Sequence, residues 1–319
     1  MKEKTDILIL AAGLGKRMKS EKPKVLFDLL GKPILGYILQ TVENIKNDKV
    51  IVLVGNRAEM VIDFLKDKNV EIAHQNEQLG TGHAVMCAFD KFDKNSNIIV
   101  LAGDVPLITS ETLSKMLEKH SKNKNDITFL TMEIENPSGY GRVVKDKNSK
   151  VMMIVEDKDC DKKEKKIKEV NSGVYVFRYD FLKKYLKTLS NKNNQNEYYL
   201  TDLIKIGYKE KSKIETILLE NIIEVSGIND REQLSRIEEI LLKRKISNLL
   251  KNGVTIKSPN TCYIENDVVF ENDVTIEPFV VIKGKSVIRK GSIISSFSTL
   301  ENYQTEQNQF VPPFSNLKG

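Results

Sequence analysis

Leu8-Ile9-Leu10-Ala11-Ala12-Gly13-Leu14-Gly15-Lys16-Arg17-Met18, followed by Lys22-Pro23-Lys24-Val25-Leu26, is the stretch on which the reading of this chain turns. The apolar run over 7–10 has the length and flanks of a buried strand. Small residues and two glycines come directly after it. Glycine permits turns, and a close approach of ligand to backbone, that a Cβ would obstruct. Backbone N–H groups exposed in such a loop can cradle phosphate oxygens. Arg17 and Lys24 bring positive charge to the same place. Strand, loop and cations point to a nucleoside triphosphate site, the competing reading being a tight strand-to-helix connection. The loop is not a P-loop, which needs Gly-x-x-x-x-Gly-Lys-Ser/Thr. Nor is it the dinucleotide fingerprint Gly-x-Gly-x-x-Gly, because position 18 is Met.

Working outward, the spacing predicts a helix over 34–45, a strand over 50–54, a helix over 58–66 and a strand near 70–73. Further strands are expected over 97–102, 126–134, 151–156 and 170–177. Strands alternating with helices indicate a mainly parallel sheet covered on both faces. Ligands bind such sheets beyond the carboxyl ends of the strands. Two more segments fall at that edge. In Gln75-Asn76-Glu77-Gln78-Leu79-Gly80-Thr81-Gly82-His83, the Gln75 amide offers an acceptor and a pair of donors, like the edge of uracil. Gly80 and Thr81 can bring backbone close to a base, although the same residues also make a capped helix start. His83 reads as structural. In Gly103-Asp104-Val105-Pro106, an acid at the end of a central strand supplies the hard oxygen that Mg²⁺ prefers, or else a turn or helix cap. The charged stretch 158–168 is expected to be a solvated helix, 214–219 and 222–225 a hairpin-like pair, and 231–251 a long helix.

The bulk composition excludes several classes. The chain has 319 residues, 40% apolar and 29% charged, which suits a folded protein of more than one module. Its formal charge of +6, from 50 basic and 44 acidic residues, carries no basic block interleaved with aromatics, so no nucleic-acid partner is expected. Cys87, Cys160 and Cys262 fit neither a disulfide framework nor a zinc spacing, and the expected compartment is the reducing cytoplasm. No secretory signal is read at the N-terminus, and no apolar run nears the ~20 residues of a membrane helix, so no membrane partner is expected.

Leu10-Ala11-Ala12-Gly13-x-Gly15-x-Arg17-Met18 with Lys22-Pro23-Lys24 resembles the signature of sugar-nucleotide pyrophosphorylases. Within them it is most similar to the uridylyltransferase half of the bacterial bifunctional enzymes that make UDP-N-acetylglucosamine, a precursor for peptidoglycan and cell-wall biogenesis. The resemblance implies a Rossmann-like nucleotidyltransferase domain that joins UTP to N-acetylglucosamine 1-phosphate with release of pyrophosphate. It implies nucleotide contacts from Leu10, Ala11, Ala12, Gly13, Lys24, Gln75, Gly80, Thr81, Ala102, Gly103 and Asp104. Arg17 and Lys24 are the implied catalytic cations, and Mg²⁺ on Asp104 and Asn229 the implied metal. Gly141, in Ser138-Gly139-Tyr140-Gly141-Arg142, and the pair Glu156 and Asn171 are the implied sugar contacts. Read from the residues alone, that pair is a strand-end carboxylate and a turn amide, and Asn229 is a helix N-cap. The family usually has Thr at position 16 and often an aromatic at 102; this chain has Lys16 and Ala102. Open alternatives are another sugar 1-phosphate, dTTP in place of UTP, and a non-catalytic subunit that binds sugar nucleotides.

From 254 onward the period changes. Ile264, Phe270, Ile276, Ile282, Ile288, Ile294 and Leu300 recur every sixth residue. A period of six predicts a left-handed parallel β-helix, three hexapeptides to a turn, here about two turns. The family's second half has this fold and transfers acetyl groups. In this sequence the repeat reads as stopping near Leu300, so acetyl transfer is expected to be absent. A short coil buries little surface alone, which suggests packing about a trimer axis or against the first domain. The expected division is a nucleotidyltransferase domain over 1–228, a linker helix over 229–253 and a truncated β-helix over 254–319.

Overall fold

The apolar runs assemble into a nine-stranded mixed sheet in a computed structural model that describes residues 4–319. Its strands are β1 (Lys4–Leu10), β2 (Lys49–Val54), β3 (Glu71–His74), β4 (Ser96–Ala102), β5 (Ile127–Glu133), β6 (Arg142–Lys145), β7 (Val151–Val155), β8 (Glu169–Arg178) and β9 (Ile214–Leu218). The order is β9-β5-β8-β4-β1-β2-β3, with β6 pairing β8 and β7. Helices α1 (Ile34–Glu43), α2 (Ala58–Leu65), α3 (Thr81–Ala88), α4 (Ser110–Asn123), α5 (Tyr179–Tyr185) and α6 (Asp202–Lys209) alternate with the strands. Ile7, Leu8, Ile9 and 98–101 are fully buried, as strands covered on both faces must be. The chain builds outward from β1 through β2 to β3, then returns to β4 on the other side of β1. All these pairings are parallel. The reversal makes a switch point between β1 and β4, and the register sets Leu10 beside both Leu53 and Ala102. Strand β8 runs antiparallel between β4 and β5, and its register slips between Asn171 and Tyr175.

Two expectations need correction. The stretch 158–168 is not a helix and holds only a 3-10 turn, Glu164–Lys166. With no apolar face to bury, it is organised by Asp161, whose side chain accepts from the backbone N–H groups of Lys163 and Glu164. The segments 214–219 and 222–225 are not a hairpin. Strand β9 pairs in parallel with β5, and Ile222–Val225 is a 3-10 turn whose Glu224 accepts from both Thr109 and Thr112 hydroxyls.

A second compact unit comprises Phe27–Pro33 and Asp230–Gly319. Its helix α7 (Arg231–Lys251) is capped by Asp230, which accepts from the Gln233 N–H at 2.8 Å, so the cap is not Asn229. Ile246 of α7 joins the apolar interior of a coil of short parallel strands. Lys245 donates to the carbonyls of Asn266 and Val268 in the same coil. Tyr263 pairs with Val281, and Val281 with Thr299; each step is 18 residues, three hexapeptides per turn. Ile264, Ile276, Ile282, Ile288, Ile294 and Leu300 point inward and are fully buried.

The coil does not stop at Leu300. Strands Phe310–Val311 and Asn316–Lys318 extend it, pairing with Ile293–Ile294 and Thr299–Glu301. Phe310 lies 17 residues beyond Ile293, so the turn has lost one residue. The inward sequence therefore runs Leu300, Thr305, Val311. Thr305 is buried, and its hydroxyl accepts from the Arg289 N–H and bonds to Ser292 Oγ. No helix among the described residues is long and apolar enough to cross a membrane.

Candidate active site

At the carboxyl ends of β1 and β4 lies a cleft of about 410 Å³. Leu10, Ala12, Gly13, Lys24, Gln75, Gly80, Thr81, Ala102, Gly103 and Asp104 line it, joined by Glu197. Ala11 is buried beside them, its N–H donating to the Leu53 carbonyl. Two glycines are there for stated steric reasons. Gly103 donates its N–H to the Leu10 carbonyl, and a Cβ on it would stand 2.7 Å from that same oxygen. Gly80 has φ +103, and a Cβ there would meet the Tyr198 carbonyl at 2.7 Å. The floor of the cleft thus needs backbone closer than side chains allow. Arg17 stands apart: it is exposed and is not among the lining residues.

Lys24, on the 3-10 turn Lys24–Leu26, reaches across to the far strand end. Its ammonium pairs with Asp104 and donates to Asn229 Oδ1 at 3.3 Å. The Lys24 and Asp104 side chains are only 15% and 19% exposed, so the pair is poorly screened by water. Asn229 follows directly on Ile228, whose N–H donates to the Asp104 carbonyl. Among the described residues no three His, Cys, Asp or Glu gather as a metal cluster. Mg²⁺ needs only one or two protein oxygens beside substrate phosphates. The Asp104 and Asn229 oxygens already converge on one cation, the Lys24 ammonium, and this donor set fits Mg²⁺.

Gln75 is 4% exposed. Its Nε2 donates to the Gly80 carbonyl at 3.1 Å and lies 3.2 Å from His83 Nδ1. The imidazole expected to be merely structural therefore touches a site residue, and Cys87 Sγ sits 3.6 Å from its Nε2.

Gly141, Glu156 and Asn171 form a neighbouring group. A Cβ on Gly141 would lie 3.5 Å from Glu156 Oε2, and the Asn171 N–H donates to the Gly141 carbonyl. Asn171 is the last residue of β8 paired with β5, opposite Thr131, before the register slips; its amide donates to Tyr175 Oη and accepts from the Gly173 N–H. Burial raises the Glu156 carboxyl above its usual range, opposed by the Thr201 hydroxyl, which donates to Oε1 at 2.8 Å. Thr201 was missed by sequence reasoning. It stands just before Asp202 and looks like a helix cap, yet it makes no cap bond and is buried. The segment 197–201 links both groups: Glu197 lines the cleft, the Leu200 N–H donates to Thr81 Oγ1, and Thr201 holds Glu156.

The profile of the nucleotidyl transferase family matches residues 7–221. The protein named "Bifunctional protein GlmU" of Fervidobacterium nodosum is 49% identical over 262 residues, 82% of this chain and 56% of that protein. Its namesake from Thermoanaerobacter pseudethanolicus is 46% identical over 261 residues, 82% of this chain and 57% of that protein. The chain thus spans a little over half the length of these curated relatives. A solved Bacillus anthracis structure, described as a glucose-1-phosphate thymidylyltransferase in complex with a sucrose, superposes with a TM-score of 0.57. It covers 74% of this chain and 94% of that one, at 18% identity, and speaks for the fold alone.

Proposed function

This chain belongs to the nucleotidyl transferase family and is a homologue of the GlmU proteins, and on that premise we propose that it is a uridylyltransferase. Its substrates are UTP and N-acetylglucosamine 1-phosphate; its products are UDP-N-acetylglucosamine and pyrophosphate. The observation that carries this reading is the convergence of Lys24, Asp104 and Asn229 at the rim that also holds Gln75. In the proposed reaction an oxygen of the sugar phosphate attacks the α-phosphorus of UTP in line. The bond from that phosphorus to the bridging oxygen breaks, and pyrophosphate leaves with the electron pair. No covalent intermediate is needed, so the protein works by position and charge.

Lys24, fixed and poorly hydrated, neutralises charge that builds on the phosphates. The backbone of Leu10, Ala11, Ala12 and Gly13 cradles the triphosphate, with Arg17 as an outer cation for the β- and γ-phosphates. Asp104 and Asn229 would hold Mg²⁺, which when bound supplies charge neutralisation between the two reacting phosphates. Gln75, Gly80 and Thr81 take the uracil, with Ala102 and Gly103 beneath the nucleoside. Gly141, Glu156 and Asn171 take the sugar, where a carboxylate and an amide suit hydroxyl and acetamido groups. The proposal assigns catalysis to 1–228 together with Asn229, the first residue of the segment 229–253 that leads into the β-helix of 254–319. It places the protein in the cytoplasm, as a homotrimer through that coil, and covers uridylyl transfer alone.

The test is pyrophosphate release with Mg²⁺, UTP or dTTP, and sugar 1-phosphates with and without the acetamido group. Release that needs UTP and prefers the acetamido sugar is expected. Release with no such preference, or none at all, overturns the reading.

A further inference from the structure

We propose that His83 is a positioning residue that fixes the Gln75 amide so that the cleft is offered an acceptor only, and that this sets the choice of base. The inference rests on the uridylyl-transfer reading and sharpens it. Gln75 Nε2 carries two hydrogens and no available lone pair. One hydrogen goes to the Gly80 carbonyl at 3.1 Å; the other faces His83 Nδ1 at 3.2 Å. Nδ1 must therefore accept, and the imidazole proton sits on Nε2, which faces Cys87 Sγ at 3.6 Å. His83 and Cys87 are four residues apart on α3, so the helix itself stacks them on one face.

With both donors spent, only Oε1 remains. It has no partner among the described residues, although Gln75 is 4% exposed and lines the cleft. A free glutamine amide offers both donors and an acceptor, and here only the acceptor is left for the cleft. Placed opposite position 3 of a pyrimidine, a lone acceptor selects a base that presents an N–H there. The N3–H of uracil, like that of thymine, meets the requirement. The N3 of cytosine is a lone pair and would face Oε1 with repulsion. Turning the amide over would accommodate cytosine, but it would put Oε1 against the Gly80 carbonyl and the Nδ1 lone pair. Sites whose buried polar groups are left mispaired discriminate more sharply than apolar ones. His83 supplies one of the two constraints, so its loss relaxes selection without abolishing it.

The experiment compares the unsubstituted protein with His83→Leu, which removes the acceptor, and His83→Asn, whose amide oxygen can restore one near the place of Nδ1. For each, kcat/KM is measured with UTP and with CTP, and calorimetric titration gives the affinity for each triphosphate without sugar phosphate. The expected result is a fall of about tenfold in the UTP-to-CTP ratio for His83→Leu, carried by KM with kcat within about twofold. His83→Asn should keep most of the ratio. An unchanged ratio in His83→Leu, or an equal fall in both variants, overturns the proposal. Imidazole ¹⁵N shifts of the unsubstituted protein need no variant: a proton on Nδ1 also overturns it. Should the unsubstituted protein release no pyrophosphate, the uridylyl-transfer reading fails, while the titrations and the tautomer still decide the role of His83.

Discussion

In the coil, an inward side chain meets a near-copy of itself 17 or 18 residues away. In the cleft no site residue has a copy, and partners come from far along the chain: Lys24 meets Asp104 across 80 residues and Asn229 across 205. The coil is redundant, because its interior is one interaction repeated on three faces. The cleft is assembled from single contributions, each delivered by a different loop at the strand ends. Damage to the coil should therefore appear as lost stability, and damage to the cleft as lost chemistry with the fold intact.

Asp104→Ala is the sharpest way to press that contrast. It removes the carboxylate that meets Lys24 and would hold Mg²⁺, so kcat for pyrophosphate release should fall by about 10²–10³-fold, the usual loss for a group that stabilises transition-state charge. Thermal melting of the same variant should stay near that of the parent. Turnover close to normal would remove Asp104 from the chemistry. In the coil, Ile282→Ala empties a fully buried position and should cost about 2–5 kcal/mol in denaturant unfolding of that unit. Its kcat should hold within about twofold; a parallel collapse of kcat would break the distinction between the regions. Between these lies Asn171→Ala. It deletes an amide held by Tyr175 and Gly173, and it should raise KM for the sugar 1-phosphate by about tenfold while sparing KM for UTP.

The same contrast explains what could be read in advance. Strands β1 and β4 were legible because strands buried on both faces are nearly continuous apolar runs. The coil over 264–300 was legible because one spacing recurs without a break. Its continuation was hidden by a single dropped residue, which turns Thr305 inward. A threonine is acceptable there only because Arg289 and Ser292 satisfy its hydroxyl, and neither lies beside it in sequence. Charge misled at 158–168, since a charged run suits a solvated turn as well as a helix. At the site, residue types pointed to the rim, but the partner that sets each one's behaviour did not show. Thr201 lies 45 residues from Glu156, and nothing local marks it as more than a cap.

Thr201→Val gives the smallest expected effect, and it tests whether such a hidden partner matters. An ionised Glu156 can accept from a sugar hydroxyl; a protonated one loses that acceptor. Burial raises this carboxyl above the ordinary glutamate value of about 4.3, so acid should weaken sugar binding at a higher pH than usual. The Thr201 hydroxyl stabilises the charged form, and removing it raises the carboxyl further. KM for the sugar 1-phosphate should thus begin its rise, as pH falls, at a higher pH in Thr201→Val than in the parent. The sugar phosphate titrates too, near pH 6, but that change is common to both proteins and cancels in the ratio of their KM values. Superimposable KM–pH profiles would mean that Glu156 is held by its burial alone and that Thr201 only fills space.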